Sequence, residues 1–157
     1  MYRRELDLSG TLRDRSVFLF GPRQTGKTTF VRSRYPEAVF YNLLEADTFR
    51  DLSARPELVR QRLRGGESTV IIDEIQRLPS LLSEVQVMLE RNPRLRFILT
   101  GSSARSLRRG GINLLGGRAR VAHLFPLASV ETEFSGLDRR LKIGSLPAIF
   151  DSASPGE

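Results

Sequence analysis

Residues 17–29 read Val-Phe-Leu-Phe-Gly-Pro-Arg-Gln-Thr-Gly-Lys-Thr-Thr. Four apolar residues, Val17 to Phe20, predict a short buried strand. They run directly into Gly21-x-x-x-x-Gly26-Lys27-Thr28, the spacing of a phosphate-binding loop. A triphosphate carries several charges, and a loop holds it by aiming many N–H dipoles at it at once. Glycines at 21 and 26 let the backbone turn tightly and approach phosphates with no Cβ in the way. The helix predicted to start near Lys27 adds its positive end and its unpaired N–H groups. In this pattern Lys27 reaches the β- and γ-phosphates and the Thr28 hydroxyl ligates Mg²⁺. Pro22, Arg23, Gln24, Thr25 and Thr29 complete the predicted nucleotide cradle. The plainer alternative is a glycine-rich turn capping an ordinary helix. Against it, only Lys27 and Lys142 among the 25 Lys and Arg residues are lysines. A lysine kept in so arginine-rich a chain suggests that a compact ammonium is wanted there, since a guanidinium is a larger planar fork.

The second informative stretch is Thr69-Val70-Ile71-Ile72-Asp73-Glu74-Ile75-Gln76. A wholly apolar strand implies burial on both faces, as in a parallel sheet covered by helices. Ligands bind at the carboxyl ends of such strands. Asp73 is therefore expected beside the phosphate loop, holding Mg²⁺ through water, and Glu74 is expected to orient and polarise the attacking water. A solvated strand end or helix cap is the plain alternative. A third buried strand, Arg96 to Thr100, leads into Gly101-Ser102-Ser103-Ala104-Arg105. Thr100 or Ser102 would there bond the γ-phosphate or the attacking water, or cap the following turn.

Other stretches fill in the organisation. Residues 1–16 are a polar lead-in with a short helix. Thr28 to Arg34 is predicted helical until Pro36, and Ala38 to Tyr41 is a strand candidate. A helix is expected within residues 45–64, with Pro56 in its first turn and Gly65-Gly66 stopping it. From Pro79, Leu81, Leu82, Val85, Met88 and Leu89 repeat at helical spacing, a core-packing stripe. Alternating strands and helices of this length mean crossover units. Val121 to Phe125 is the last strand, and its His123 reads as a packed residue. Pro126 to Phe134 is a closing helix candidate. Before that last strand, Arg105, Arg108, Arg109, Arg118 and Arg120 sit among glycines. They are a solvated surface, an arginine finger acting on a neighbouring subunit in a homo-oligomer, or a nucleic-acid backbone contact.

Composition narrows the classes. At 157 residues and a net charge of +7, the chain suits one domain. With no cysteine it has neither disulfide nor thiolate metal site, which fits a cytoplasmic location. No apolar run approaches the ~20 residues of a spanning helix, so no membrane association is expected. The positive charge permits nucleic-acid binding without requiring it. A GTPase is disfavoured, because no Asn-Lys-x-Asp or Thr-Lys-x-Asp motif is present. A small-molecule kinase would need an acceptor pocket and a lid, and neither is visible.

Gly21–Thr29, Val70–Gln76, Leu99–Arg105 and His123-Leu124-Phe125-Pro126-Leu127 follow one another in that order. Together they resemble the prokaryotic AAA-domain ATPases that usually carry a further C-terminal domain. The resemblance covers roughly residues 10–150. It implies an α/β P-loop NTPase fold, a three-layer sandwich with a central, mostly parallel sheet of about five strands. Walker A then falls at Gly21–Thr28 and Walker B at Asp73-Glu74, in the branch with a catalytic glutamate and an extra strand between the two motifs. Thr100 and Ser102 fall where this class places its polar sensor, and Arg105 is a finger candidate. The expected layout is a lead-in over 1–16, an ATPase core over 17–143, and a tail over 144–157 resembling the start of a second domain. The implied activity is hydrolysis of MgATP coupled to a shape change or a protein partner. A nucleotide-gated switch with negligible turnover, including a DNA-associated one, is the competing reading.

Overall fold

The computed structural model describes residues 2–104, 107, 115–132, 134, 138, 141–142 and 144–150. Five strands carry the fold: β1 (Ser16–Phe20), β2 (Val39–Asn42), β3 (Thr69–Asp73), β4 (Arg96–Gly101) and β5 (Ala119–His123). They form one sheet in the order β2-β3-β4-β1-β5, and every pairing is parallel. The helices among the described residues are α1 (Ser9–Leu12), α2 (Lys27–Arg34), α3 (Ala46–Ala54), α4 (Leu58–Gln61), α5 (Leu81–Arg91) and α6 (Pro147–Phe150). The α/β class, the parallel sheet and the flanking helices agree with the sequence reading. So does the inserted strand, since β4 separates β1 from β3.

Alternation along the strands makes the three layers. Phe18 and Phe20 of β1 join Val70, Ile72, Phe97 and Leu99 in one core, which the apolar stripe of α5 and Leu52, Leu58 and Val59 cover. Val17 and Leu19 point the other way and pack with Ile71, Ile98, Leu8, Phe30 and Val31. Successive side chains in a strand face opposite sides, so two apolar sets need two covering layers. β1 is buried at every position, whereas β5, an edge strand, is half-buried at Ala119 and Ala122 and exposed at its other three positions.

Several element boundaries differ from the expectations. The last strand begins at Ala119 and ends at His123, because its register is set by pairing with β1, from Ser16↔Ala119 to Phe20↔His123. Phe125 falls outside it and is 66% exposed. His123 is correspondingly exposed on the edge strand and stacks on Phe125, with ring centroids 5.8 Å apart; it is not a packed core residue. The helix expected over Pro126–Phe134 is replaced, among its described residues, by a single 3₁₀ turn at Val130–Thr132. Phe134 stands at φ 57, which an α-helix cannot accommodate. Residues 45–64 hold two helices in place of one. The break falls at Arg55, whose φ of −141 and ψ of 82 are non-helical, as a following proline favours.

Candidate functional site

The site lies at the carboxyl ends of β1, β3 and β4. Adjacent strands are about 4.8 Å apart, so the inserted β4 holds the ends of β1 and β3 roughly 10 Å from each other. The turn after β1 and the start of α2 bridge that gap. Thr28, the second residue of α2, donates its hydroxyl to Asp73 Oδ2 at 2.7 Å. The other carboxylate oxygen is met by Thr100 of β4, fully buried, whose hydroxyl donates to Asp73 Oδ1 and accepts the Glu74 N–H at 3.1 Å. Three elements distant in sequence thus converge on one carboxylate.

The turn itself is built by its glycines. Gly26 has φ 86, a conformation that side chains rarely adopt, and so ends the loop where α2 begins. At Gly21 the reason is space: an added Cβ would stand 2.1 Å from the Leu124 carbonyl oxygen, which is backbone and cannot swing away. Leu124 is itself tied by its N–H to the Phe20 carbonyl at 2.7 Å. Gly21→Ala is therefore expected to destabilise the fold by about 1–3 kcal/mol, as overpacking does. Melting should fall by roughly 2–12 °C at 2–4 °C per kcal/mol. An unchanged melting temperature would contradict this close approach.

Lys27 is only 5% exposed. Its ammonium donates to the carbonyls of Gly21 (2.8 Å) and Pro22 (2.9 Å). Burial pushes its pKa below the ordinary lysine value, and outweighs Glu74 and Asp73, which act the other way. Thr25 is buried and closes the turn by donating to the Pro22 carbonyl at 2.9 Å. A cleft of about 340 Å³ opens here, lined by Arg23, Gln24, Gly26, Lys27, Thr28 and Thr29 on the loop side. Leu44, Glu74, Gln76 and Arg77 line the other.

Glu74 follows β3 in a left-handed conformation, φ 61 and ψ 45. Such a conformation costs a non-glycine residue of order 1–3 kcal/mol and persists only where its surroundings impose it. Here the Thr100 hydroxyl holds the Glu74 N–H and a 3₁₀ turn, Ile75–Arg77, begins immediately after. The turn swings Gln76 back so that its Nε2 donates to Glu74 Oε2.

The structure thus gathers Gly21 to Thr29, Asp73, Glu74 and Thr100 into one neighbourhood. Thr100 spends its hydroxyl on Asp73 and Glu74, and Ser102 sits half-buried beyond the end of β4, outside that network. Arg105, Arg108 and Arg109 lie outside the described residues. Arg118 and Arg120 stand at the start of β5, the far end of the sheet.

Two contacts were not legible in the sequence. One is Gln76, whose only signal was a polar residue in the turn after the carboxylates. The other is Arg4, which donates to the Thr25 carbonyl at 2.7 Å, to the Phe125 carbonyl, and to Glu131 Oε1 at 3.0 Å. Arg4 and Glu131 are 8% and 5% exposed at the side chain. Burial would raise the Glu131 pKa, but N–H donors from Ala128 and Glu5, with Arg4 itself, outweigh it and hold it below the usual carboxylate range. No local pattern announces a pair separated by 127 positions.

Comparison with known proteins gives this geometry a family. Residues 13–133 match the family model described as "AAA domain". Uncharacterized proteins from Mycobacterium tuberculosis and Mycobacterium bovis are each 34% identical over 142 residues. The match covers 88% of this chain but 31% of theirs, so the chain spans about a third of the length of these relatives. Among solved structures, Caenorhabditis elegans PCH-2 aligns with a TM-score of 0.46 and 14% identity over 89% of this chain and 43% of that one. The glycine loop, the buried carboxylate it meets and the family model over most of the chain agree: this chain belongs to the AAA-domain family of P-loop nucleotide-binding ATPases.

Proposed function

We propose that this chain binds ATP with Mg²⁺ and hydrolyses it to ADP and phosphate, coupling turnover to a change of shape or to a partner. One observation carries the reading: Glu74, Lys27 and Thr28 line the same cleft, with Thr28 already hydrogen-bonded to Asp73. The residues also fit Mg²⁺. Thr28 and Asp73 offer hard oxygen donors side by side, and among the described residues no group of three or more His, Cys, Asp or Glu forms a metal cage. That suits a cation held by one or two protein oxygens and otherwise by water and phosphates. Thr28 and Asp73 would hold the ion, which would supply neutralisation of the negative charge that develops during phosphoryl transfer.

The chain's own residues would divide the remaining work. Loop N–H groups and the start of α2 cradle the phosphates. Lys27 exchanges the Gly21 and Pro22 carbonyls for phosphate oxygens, which as anions make the stronger acceptors. Glu74 holds the water in line with the γ-phosphorus and takes its proton. Thr100 acts as a positioning residue, fixing Asp73 and the Glu74 backbone. An arginine delivered by a second copy would stabilise the transition state further, by as much as ~10³–10⁵-fold.

A second reading has its own observation. Glu74 Oε2 is engaged by the Gln76 amide, an arrangement that withholds one carboxylate oxygen from water. It favours a nucleotide-gated switch whose turnover waits on a partner or a further domain. Thermal shift and phosphate release together separate the two. MgATP at 100 times its dissociation constant should stabilise the chain by ~2.7 kcal/mol, roughly 5–11 °C for a domain of this size. Phosphate release alongside that shift supports the ATPase, and a shift without release supports the switch. No shift would sink both.

A further inference from the structure

All strands run parallel, so their amino ends share one end of the sheet, opposite the phosphate loop. β4, β1 and β5 are neighbours there, and the residues leading into each carry arginines: Arg15 before β1, Arg94 and Arg96 at β4, and Arg118 before β5. The register Ser16↔Ala119 and Val17↔Ile98 brings these approaches side by side. They enclose a cleft of about 460 Å³ whose lining includes Arg15, Arg96 and Arg118.

Two of these guanidinium groups, those of Arg15 and Arg96, are fixed by neutral acceptors that leave their charge uncompensated. Arg96 donates to the carbonyls of Pro93 (2.6 Å), Leu95 (2.8 Å) and Arg13 (3.0 Å). Its Nε is buried with no hydrogen-bond partner. Arg15 donates to the Gly117 carbonyl at 2.6 Å. These acceptors are neutral, so they orient the forks without cancelling the positive charge. Arg118 meets Glu90 at 3.4 Å, but both side chains are nearly half exposed, where an ion pair is worth little. Among the described residues, Asp14 is the only carboxylate in the lining.

We propose that this cleft binds the phosphate backbone of a nucleic acid. Guanidinium forks match phosphate oxygens bidentately and shed hydration more readily than ammonium groups. Several of them, held at one concave end of a chain carrying a net charge of +7, suit a repeating anion. A lipid surface fits poorly: of the apolar lining side chains Leu89 is only 9% exposed and the exposed one, Pro93, is small, so the cleft offers no aromatic or long aliphatic anchor of the kind a membrane interface uses. Such a site would make the ATPase core itself a nucleic-acid contact. It lies about one strand length, ~16 Å, from the nucleotide cleft.

The test is fluorescence anisotropy of a labelled DNA duplex of about 20 base pairs and of its single strand, across about 50–200 mM salt. Each phosphate neutralised contributes a slope of about −0.7 to −0.9 in log K against log salt. Wild type should therefore show a slope near −2 to −3 with at least one of the two. Arg15→Glu with Arg118→Glu should weaken binding at least tenfold and flatten the slope by about 2. Arg50→Glu, an exposed arginine paired with Asp47 away from the cleft, should do neither. The double variant should keep the thermal shift with MgATP, so that a lost fold or a failed nucleotide site is distinguishable. Absent binding to both DNAs, equal weakening by Arg50→Glu, or binding only to phosphatidylserine vesicles or inorganic phosphate would overturn the proposal.

Discussion

Glu74→Gln should abolish phosphate release while leaving ATP binding intact. The substitution keeps the size of the side chain and an oxygen that accepts from the Gln76 amide, so the left-handed turn after β3 has no reason to rearrange. What disappears is the basic oxygen that would take the proton of the attacking water. Loss of a positioned general base slows reactions by about 10²–10⁴-fold. Turnover should fall by that factor, while the MgATP-induced thermal shift stays within about a degree of wild type, since 1 kcal/mol corresponds to ~2–4 °C here. Undiminished release would remove Glu74 from the chemistry and leave the cleft as a binding site alone. Loss of the thermal shift would instead mean that Glu74 supports the loop.

Lys27→Met should produce the opposite separation, failing at binding. Its ammonium would make about two hydrogen bonds to phosphate oxygens, each worth ~1.5–3 kcal/mol when the partners are charged. At 1.4 kcal/mol per factor of ten, affinity should fall by about 10²–10⁴-fold. The fold should bear this easily. Burial already lowers the lysine pKa, so the protonated side chain is held at a cost in the absence of nucleotide. The sign of the pH effect follows. Between the depressed folded pKa and the unfolded value near 10.5, folding releases a proton and the wild type gains stability as pH rises. Melting of the nucleotide-free wild type should therefore gain on Lys27→Met toward alkaline pH. A nucleotide affinity left unchanged would refute the role given to Lys27; a melting difference that moved the other way would refute the burial account.

The glycine loop and the acidic strand end were legible in the sequence for a common reason. Each is a contiguous run in which residue type and spacing encode a local conformation: apolar strand, tight glycine turn, helix start, buried strand, two carboxylates. Layer architecture followed as well, because wholly apolar strands alternating with amphipathic helices can be satisfied only by a parallel sheet covered on both faces. Boundaries were less legible where one element's limits depend on another. β5 begins at Ala119 because β1 supplies the register, and its Ala-Arg start carries no apolar signal of its own.

Which distant residues meet is set by the fold. The sequence left Thr100 and Ser102 as alternatives; in the fold Thr100, inside β4, bonds Asp73, whereas Ser102 lies just past the strand's last residue, Gly101. Gln76 reaches Glu74 because a 3₁₀ turn follows a left-handed residue, and Arg4 reaches the loop because residues 4 and 131 fold against the same side of it. The arginines gathered at the amino end of the sheet lie far apart in sequence and become neighbours because parallel strands β4, β1 and β5 start side by side. Local patterns fix what a segment can be, since propensity and spacing act over a few residues. Contacts across 27 or 127 positions depend on sheet order and register, which belong to the folded chain as a whole.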